Sequence, residues 1–260
     1  MFESSVALTP EQVEWLDQCT DGTWQLNHRT GLVDVDGYFD CNHEGLSDFK
    51  GVRFGVIKRD FECRSNQLTT LEGAPREVIG NFVCANNGLT TLEGSPQRVG
   101  GSFYCQDNLL TTLEGAPREV GGNFYFYNNQ LTTLEGAPRE VGGYFNCEDN
   151  QLTSLEGAPQ KVGGSFNCSD NQLTTLEGAP REVGGYFNCK KNPVSEKTLD
   201  SIFGIMKKGE SYLEAVESIW TEIPLEDQAL LYRPEFKWVG PDEVKKLDAL
   251  RAYQGFKGMI

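Results

Sequence analysis

The chain has 260 residues, 38% of them hydrophobic, with 38 acidic and 23 basic side chains and a formal net charge of −15. That size supports a continuous core, and no apolar run reaches membrane-spanning length. The opening Met-Phe-Glu-Ser-Ser-Val-Ala-Leu lacks the basic start and apolar centre of a secretory signal, so the expectation is a cytoplasmic protein.

Residues 1–60 read as an N-terminal cap. Thr9-Pro10-Glu11-Gln12 carries an N-cap, a first-turn proline and a capping-box partner, and Val13, Leu16 and Cys19 follow on one face, which predicts a helix from about Pro10 to Cys19. Trp24 and the alternating run Leu32-Val33-Asp34-Val35-Asp36 predict a strand or hairpin after Gly22. Gly37-Tyr38-Phe39-Asp40-Cys41 is a worn copy of a repeat that continues through Leu46, Phe49 and Val52.

From Phe61 to Asn192 one phrase recurs every 21 residues, opening at Phe61, Phe82, Phe103, Phe124, Phe145 and Phe166, and in part at Phe187. A fixed period in this range marks a solenoid, because one unit buries its apolar face only against its neighbours. Phe82 and Cys84 flank Val83, the period of a short strand with one face inward, so the copies stack into a parallel sheet on the order of 30 Å long. Asn66, Asn87, Asn108, Asn129, Asn150, Asn171 and Asn192 form a ladder of amides suited to backbone groups left free where each strand turns away. Leucine pairs such as Leu68 and Leu71, with Val78 through Val183, supply the opposite wall of the core. Gly121-Gly122 and its equivalents provide positive φ or close backbone approach, and Pro75 through Pro180 stiffen the return limb.

Seven of the eight cysteines (Cys41, Cys63, Cys84, Cys105, Cys147, Cys168 and Cys189) share the inward column, where Phe126 takes the remaining place. A position that exchanges Cys for Phe is packing, so the expectation is a reduced structural ladder without disulfide or metal.

The unit resembles a leucine-rich repeat, Leu-x-x-Leu-x-x-x-Pro-x-x-Val-x-x-x-Phe-x-Cys-x-x-Asn-x-Leu, over Phe61 to Asn192. It is similar to the short proline-containing repeats of bacterial effector proteins and to uncharacterised repeat proteins encoded by tailed phages and their hosts. It departs from the usual pattern by Phe in place of Leu, Cys in place of Val or Leu, and one extra residue per unit. The resemblance implies a concave strand face that binds other macromolecules, usually proteins. For the phage-encoded proteins it implies binding and inhibition of a host protein, such as a defence enzyme, in the host cytoplasm. The fold expected is a leucine-rich-repeat-like, β-rich solenoid with an N-terminal cap and a C-terminal α-helical domain.

Residues 193–260 change character. Helices are expected after Ser195, through Leu199, Ile202, Phe203 and Met206, and after Ser211, through Leu213, Val216, Ile219 and Trp220. A short helix between Pro224 and Pro234, a packed connection at Phe236 and Trp238, and a helix from Gly240 through Val244, Leu247, Leu250 and Tyr253 follow. This exceeds what an end cap needs and predicts a second role for the tail.

Charge narrows the partner. The first 60 residues carry 11 acids and 5 bases, and the repeats to Cys189 carry 15 and 7, so the acidity belongs to the cap and array. No basic stripe neutralises phosphates, which argues against direct nucleic-acid binding. The acids of the return limbs also read as a solvated ladder that keeps the array soluble.

The columns alternating with Phe and Cys vary from unit to unit, and variation confined to one face is what a partner-reading surface shows. Tyr104, Tyr125, Tyr127 and Tyr144 cluster there with Gln106, Asn146, Asn167, Tyr186 and Asn188, and Asp107, Glu148, Asp149 and Asp170 form an acidic rim. Tyrosine is favoured at interfaces, and the acids point to a partner with a basic surface. These thirteen side chains are the candidate partner-binding residues. The plainer alternative is that the aromatics only cover their own sheet.

Catalysis has little to stand on. His28 and His43 are the two histidines, no metal-ligand spacing or phosphate loop is present, and Glu148 and Asp149 project to opposite sides of a strand. The C-terminal ligase domain of some effectors needs a cysteine beyond Cys189, the last in the chain. The reading is a non-catalytic, cofactor-free protein-binding module. Its rivals are an acidic nucleic-acid mimic, a glycan binder, and an enzyme housed in the tail around residues such as Glu214 or Asp227.

Overall fold

The structure, a computed structural model, describes residues 7–194, 196–206, 212–224 and 227. Helix α1 (Pro10–Cys19) begins with the expected reciprocal cap: Gln12 N donates to Thr9 Oγ1, and Thr9 N donates to Gln12 Oε1 at 2.9 Å. It buries Trp15, Leu16 and Cys19, with Trp15 taking the part expected of Val13, which is only half-buried. The indole of Trp15 donates to Glu44 Oε2 at 2.9 Å and packs edge-on against Phe39, which ties the helix to the first coil.

Strands β1 (Thr20–Asn27) and β2 (Leu32–Asp40) form an antiparallel hairpin. β2 is the stem of the whole solenoid. Its first half pairs in parallel with β3 (Phe54–Ile57), through Val33↔Phe54 and Val35↔Ile57. Its second half pairs with β4 (Phe61–Glu62), through Phe39↔Phe61 and Asp40↔Glu62. From that fork two parallel ladders of two-residue strands run the length of the array. One joins the Phe positions from Phe61 to Phe187; the other joins Ile57 to Val78 and continues through Val99, Val120, Val141, Val162 and Val183. The coils are those of a leucine-rich-repeat-like parallel β-solenoid.

The core lies between the ladders. Phe, Cys, both Leu columns and the Val column are buried, Phe187 and Val183 of the last coil being the half-buried exceptions. The Phe rings stack from coil to coil at 5.0–5.5 Å except beside Phe126. There, a ring in the Cys column packs against Phe124 at 4.8 Å and Phe145 at 4.9 Å, and Phe124 turns edge-on to both of its ladder neighbours.

Two features hold the register. Asn129 Nδ2 donates to the carbonyls of Cys105, Phe126 and Tyr127, while its Oδ1 accepts from Leu110 N at 2.9 Å, so one amide stitches two coils. The same pattern repeats from Asn66 to Asn192. The second feature is close approach at the first glycine of each pair: a Cβ on Gly142 would stand 2.0 Å from the Gly121 carbonyl oxygen. The positive φ occurs elsewhere, in the column of Gly136 (φ +93) and in the residue before each ladder Asn, from Ser65 to Lys191 (φ 52 to 58).

At the far end, α2 (Glu196–Met206) lays Phe203 flat on Phe187 with ring centroids 3.7 Å apart. α3 (Tyr212–Ser218) and a short 3-10 turn at Trp220–Glu222 follow. Among the described residues no helix is long and apolar enough to cross a membrane. Of the short helix expected between Pro224 and Pro234 Asp227 alone is described, and it is helical; the helix expected from Gly240 and the connection at Phe236 and Trp238 lie outside the described residues, as do Ser195 and Ser211.

Asn129→Ala takes one of two donors from the carbonyls of Cys105, Phe126 and Tyr127, which keep Asn108, Asn150 and the Asp107 N–H, and leaves the buried Leu110 N–H without a partner. With about 1–3 kcal/mol for a buried group left unsatisfied, a loss of that size is expected in urea unfolding. Gly142→Ala is expected to be at least as severe, because only backbone movement relieves its contact, whereas exposed Gln130→Ala stays within about 0.5 kcal/mol.

Candidate functional site

The outward positions of the Phe ladder separate into groups with different jobs. In the first, a short side chain accepts from the next coil: Asp60 Oδ1 from Asn81 N, Asn81 Oδ1 from Ser102 N, Ser102 Oγ from Asn123 N, Asn123 Oδ1 from Tyr144 N, and Ser165 Oγ from Tyr186 N, at 2.7–2.9 Å. Apparent freedom among Asp, Asn and Ser in this column is thus a constraint. Tyr144 breaks it, since a ring has no acceptor near the backbone, and Ser165 N–H has no corresponding side-chain acceptor among the described residues.

The second group is aromatic. Tyr104 and Tyr125 stack with centroids 5.0 Å apart and planes 15° from parallel, and Tyr144 meets Tyr125 edge-on at 5.6 Å. Tyr127 stands in the same coil as Tyr125, and all four rings are half-buried. Burial raises the Tyr125 phenol above its usual value, helped by Tyr104 and Tyr127. Tyr127 is raised first by burial, then by Asp107, with a hydrogen bond to Gln106 acting the other way and Glu148 adding to the rise. Tyr144 is raised by burial and by Glu148, against a hydrogen bond with Asn167. Tyr186 lies apart, with 85% of its surface exposed.

The polar candidates divide. Asn146 and Asn167 are buried, and their amides are engaged inside the chain: Asn146 Oδ1 accepts from Glu148 N, and Asn167 Nδ2 donates to Glu148 Oε2 at 3.0 Å. Asn167 Oδ1 also accepts from Asn188 Nδ2 and Ser169 Oγ, both at 2.8 Å. Asp107, Asp149 and Asp170 occupy the left-handed turn before each ladder Asn, a conformation that Asp and Asn tolerate better than most residues. Asp107 Oδ1 accepts from Asn128 at 2.7 Å, and Asp170 pairs with Lys191 at 3.0 Å. Gln106 Oε1 is buried without a donor.

A cleft of about 790 Å³ lies along the Val ladder instead, lined by Arg98, Arg118, Arg139 and Lys161 among Glu77, Glu119 and Glu140, with Gly100, Gly121, Gly142 and Gly163 along it. Its glycines are already required by backbone approach, and its bases stand beside acids, as in the Arg98–Glu77 and Lys161–Glu182 pairs. The aromatic cluster has no such structural requirement, and Tyr144 runs against one. Of the tail residues considered for chemistry, Glu214 is exposed, and Asp227 is buried and accepts from Thr198 Oγ1 at 2.7 Å. Among the described residues no group of three or more His, Cys, Asp or Glu is placed to hold a metal.

The fold defines the class as a leucine-rich-repeat-like solenoid. No family model matches the chain, and no curated protein matches it. Among solved structures, YopM from Yersinia enterocolitica WA-314 is similar over 71% of this chain and 51% of its own length, at 17% identity and a TM-score of 0.32. The chain thus spans about half the length of that protein, and at this level of likeness no function carries over.

All eight cysteines are buried, and none is joined in a disulfide. Burial, reinforced by Glu44, pushes the Cys19 thiol up to about 12, and burial holds Cys63, Cys84, Cys105 and Cys168 well above the thiol range. A thiol reagent is therefore expected to leave the native protein unmodified and to label all eight cysteines in denaturant. Fast labelling in native buffer contradicts this packing. The raised Tyr125, Tyr127 and Tyr144 phenols contribute stability that is complete below about pH 10 and is lost as pH rises through their folded-state values. The urea midpoint is expected to fall above that pH, and to fall less in the Tyr125→Phe, Tyr144→Phe double variant.

Proposed function

We propose that the chain is a non-catalytic recognition protein that grips a protein partner through Tyr104, Tyr125, Tyr127 and Tyr144, with the cap (1–60) and the helical segment (193–260) flanking the reading array (61–192). The observation that carries this reading is Tyr144. Inside the array, in a column where Asp, Asn or Ser bonds the backbone N–H of the next coil and tyrosine otherwise stands at the end coils as Tyr38 and Tyr186, it gives up that bond, worth about 0.5–1.5 kcal/mol, keeps only its phenol's bond with Asn167, and adds a ring to the Tyr104–Tyr125 stack. Departures from a local rule without a local gain are expected at functional sites. Half-buried rings with polar tips offer large contact area at little entropy, which favours a protein surface as the occupant. On the resemblance alone, the setting is a phage-encoded inhibitor bound to a host protein in the bacterial cytoplasm.

Affinity capture from bacterial lysate, followed by calorimetry on the captured protein, tests this. Tyr125→Ala with Tyr127→Ala is expected to weaken binding by at least about 30-fold, in line with about 2 kcal/mol or more at an aromatic hot spot, while leaving the thermal midpoint near that of the parent. Full affinity in the double variant overturns the reading. A steep fall of affinity with salt that follows the carboxylates rather than the tyrosines would favour a nucleic-acid mimic instead.

A further inference from the structure

We infer that the aromatic face is built to receive an arginine side chain of its protein partner, with the guanidinium stacked on the tyrosines and bonded to Glu148. The inference rests on the reading that this face binds a protein and goes further by naming the group it takes. Glu148 is half-buried, stands one coil beyond Tyr127 in the same column and four residues after Tyr144, and its charge reaches both phenols. Its side chain has one hydrogen bond, from Asn167, and no Lys, Arg or His pairs with it among the described residues. Lys191, the cation whose field it shares, is held by both oxygens of Asp170. Asp107, whose charge also reaches Tyr127, has Asn128 as its partner and likewise no cation among the described residues.

A half-buried carboxylate beside an aromatic cluster and lacking a counter-ion is a place for a cation, since ring faces attract positive charge and the partly dry setting strengthens the pair. These features favour arginine over lysine. A guanidinium is flat, so it stacks on Tyr125 or Tyr144, and its five donors can serve Glu148 in bidentate fashion with others to spare. A lysine ammonium offers a point charge with a heavier hydration shell to shed.

A displayed library of random disulfide-cyclised peptides, selected on the full chain and counter-selected on Tyr125→Ala/Tyr127→Ala, tests the inference with a defined probe. Peptides that discriminate the two proteins are expected to share an arginine. In a synthetic copy, replacing it by citrulline or lysine should lower affinity at least about tenfold. Glu148→Gln, which keeps an oxygen for Asn167, should lower it equally and abolish the difference between arginine and citrulline, whereas Glu135→Gln, at an exposed position of the return limb, should change it less than about twofold. Discriminating peptides that lack arginine, or tolerate citrulline, overturn the arginine inference and leave the tyrosine face standing. Failure to recover any discriminating peptide counts against both.

Discussion

The structure depends on one repeated interaction: the buried asparagine amide that donates to carbonyls of its own and the preceding coil while accepting from that preceding coil's leucine N–H. Each strand from Phe61 onward is two residues long, far too short to define a sheet alone, and each coil turns sharply on a residue with positive φ. The turn leaves backbone groups that neither strand ladder satisfies and that water does not reach. The amide fits them only if the next coil sits in one register, and the glycine at the return limb, within van der Waals reach of the carbonyl beneath it, admits no other spacing. Stacked Phe rings and Leu columns then supply the apolar burial.

Once the register is set, the outer face of the Phe ladder becomes a lattice on which side chains fall at sheet spacing. That lattice turns three tyrosines from three successive coils into one continuous aromatic patch. It also places Phe126 in the core beneath Tyr125 and Tyr127, where the larger ring rotates Phe124 out of the regular stack. The fourth coil is therefore irregular on both faces. Inside, the irregularity is absorbed by edge-on packing; outside, Tyr144 in the next coil gives up an inter-coil hydrogen bond. On the function proposed above, the repetition of the fold positions the few residues that break it.

Much of this was legible because the period made each column visible. Phe, Cys, Asn and Leu recur without exchange or exchange only in kind, so their burial followed from the pattern, and Thr9 to Gln12 announced the first helix. The Val ladder was not legible: a two-residue strand with one buried valine shows no alternation, and Glu77-Val78 reads equally well as a turn. Nor was the acceptor role of Asn81, Ser102 and Asn123, since three small polar residues at one position look like free variation until their oxygens are seen on the neighbouring N–H. Asn146 and Asn167 alternate with inward residues and so were placed outside, yet the larger Tyr144 and Glu148 beside them and the bonds among them leave both covered.

The most direct test of the stacking account is to excise one coil in register and one out of register. Removing residues 67–87 takes out a full 21-residue period and joins Asn66 to Gly88. The account predicts a shortened chain that still unfolds in one cooperative transition in urea, with a lower midpoint. Stopping the excision one residue short, at Asn86, leaves a spacing of 22 residues from Asn66 to Asn108, so the asparagine and the glycine of that junction coil cannot both meet their neighbours, and the account predicts a lower midpoint than the in-register excision and a transition that splits at the junction. Equal stability and cooperativity in the two shortened chains would show that the coils do not need the register and would contradict it.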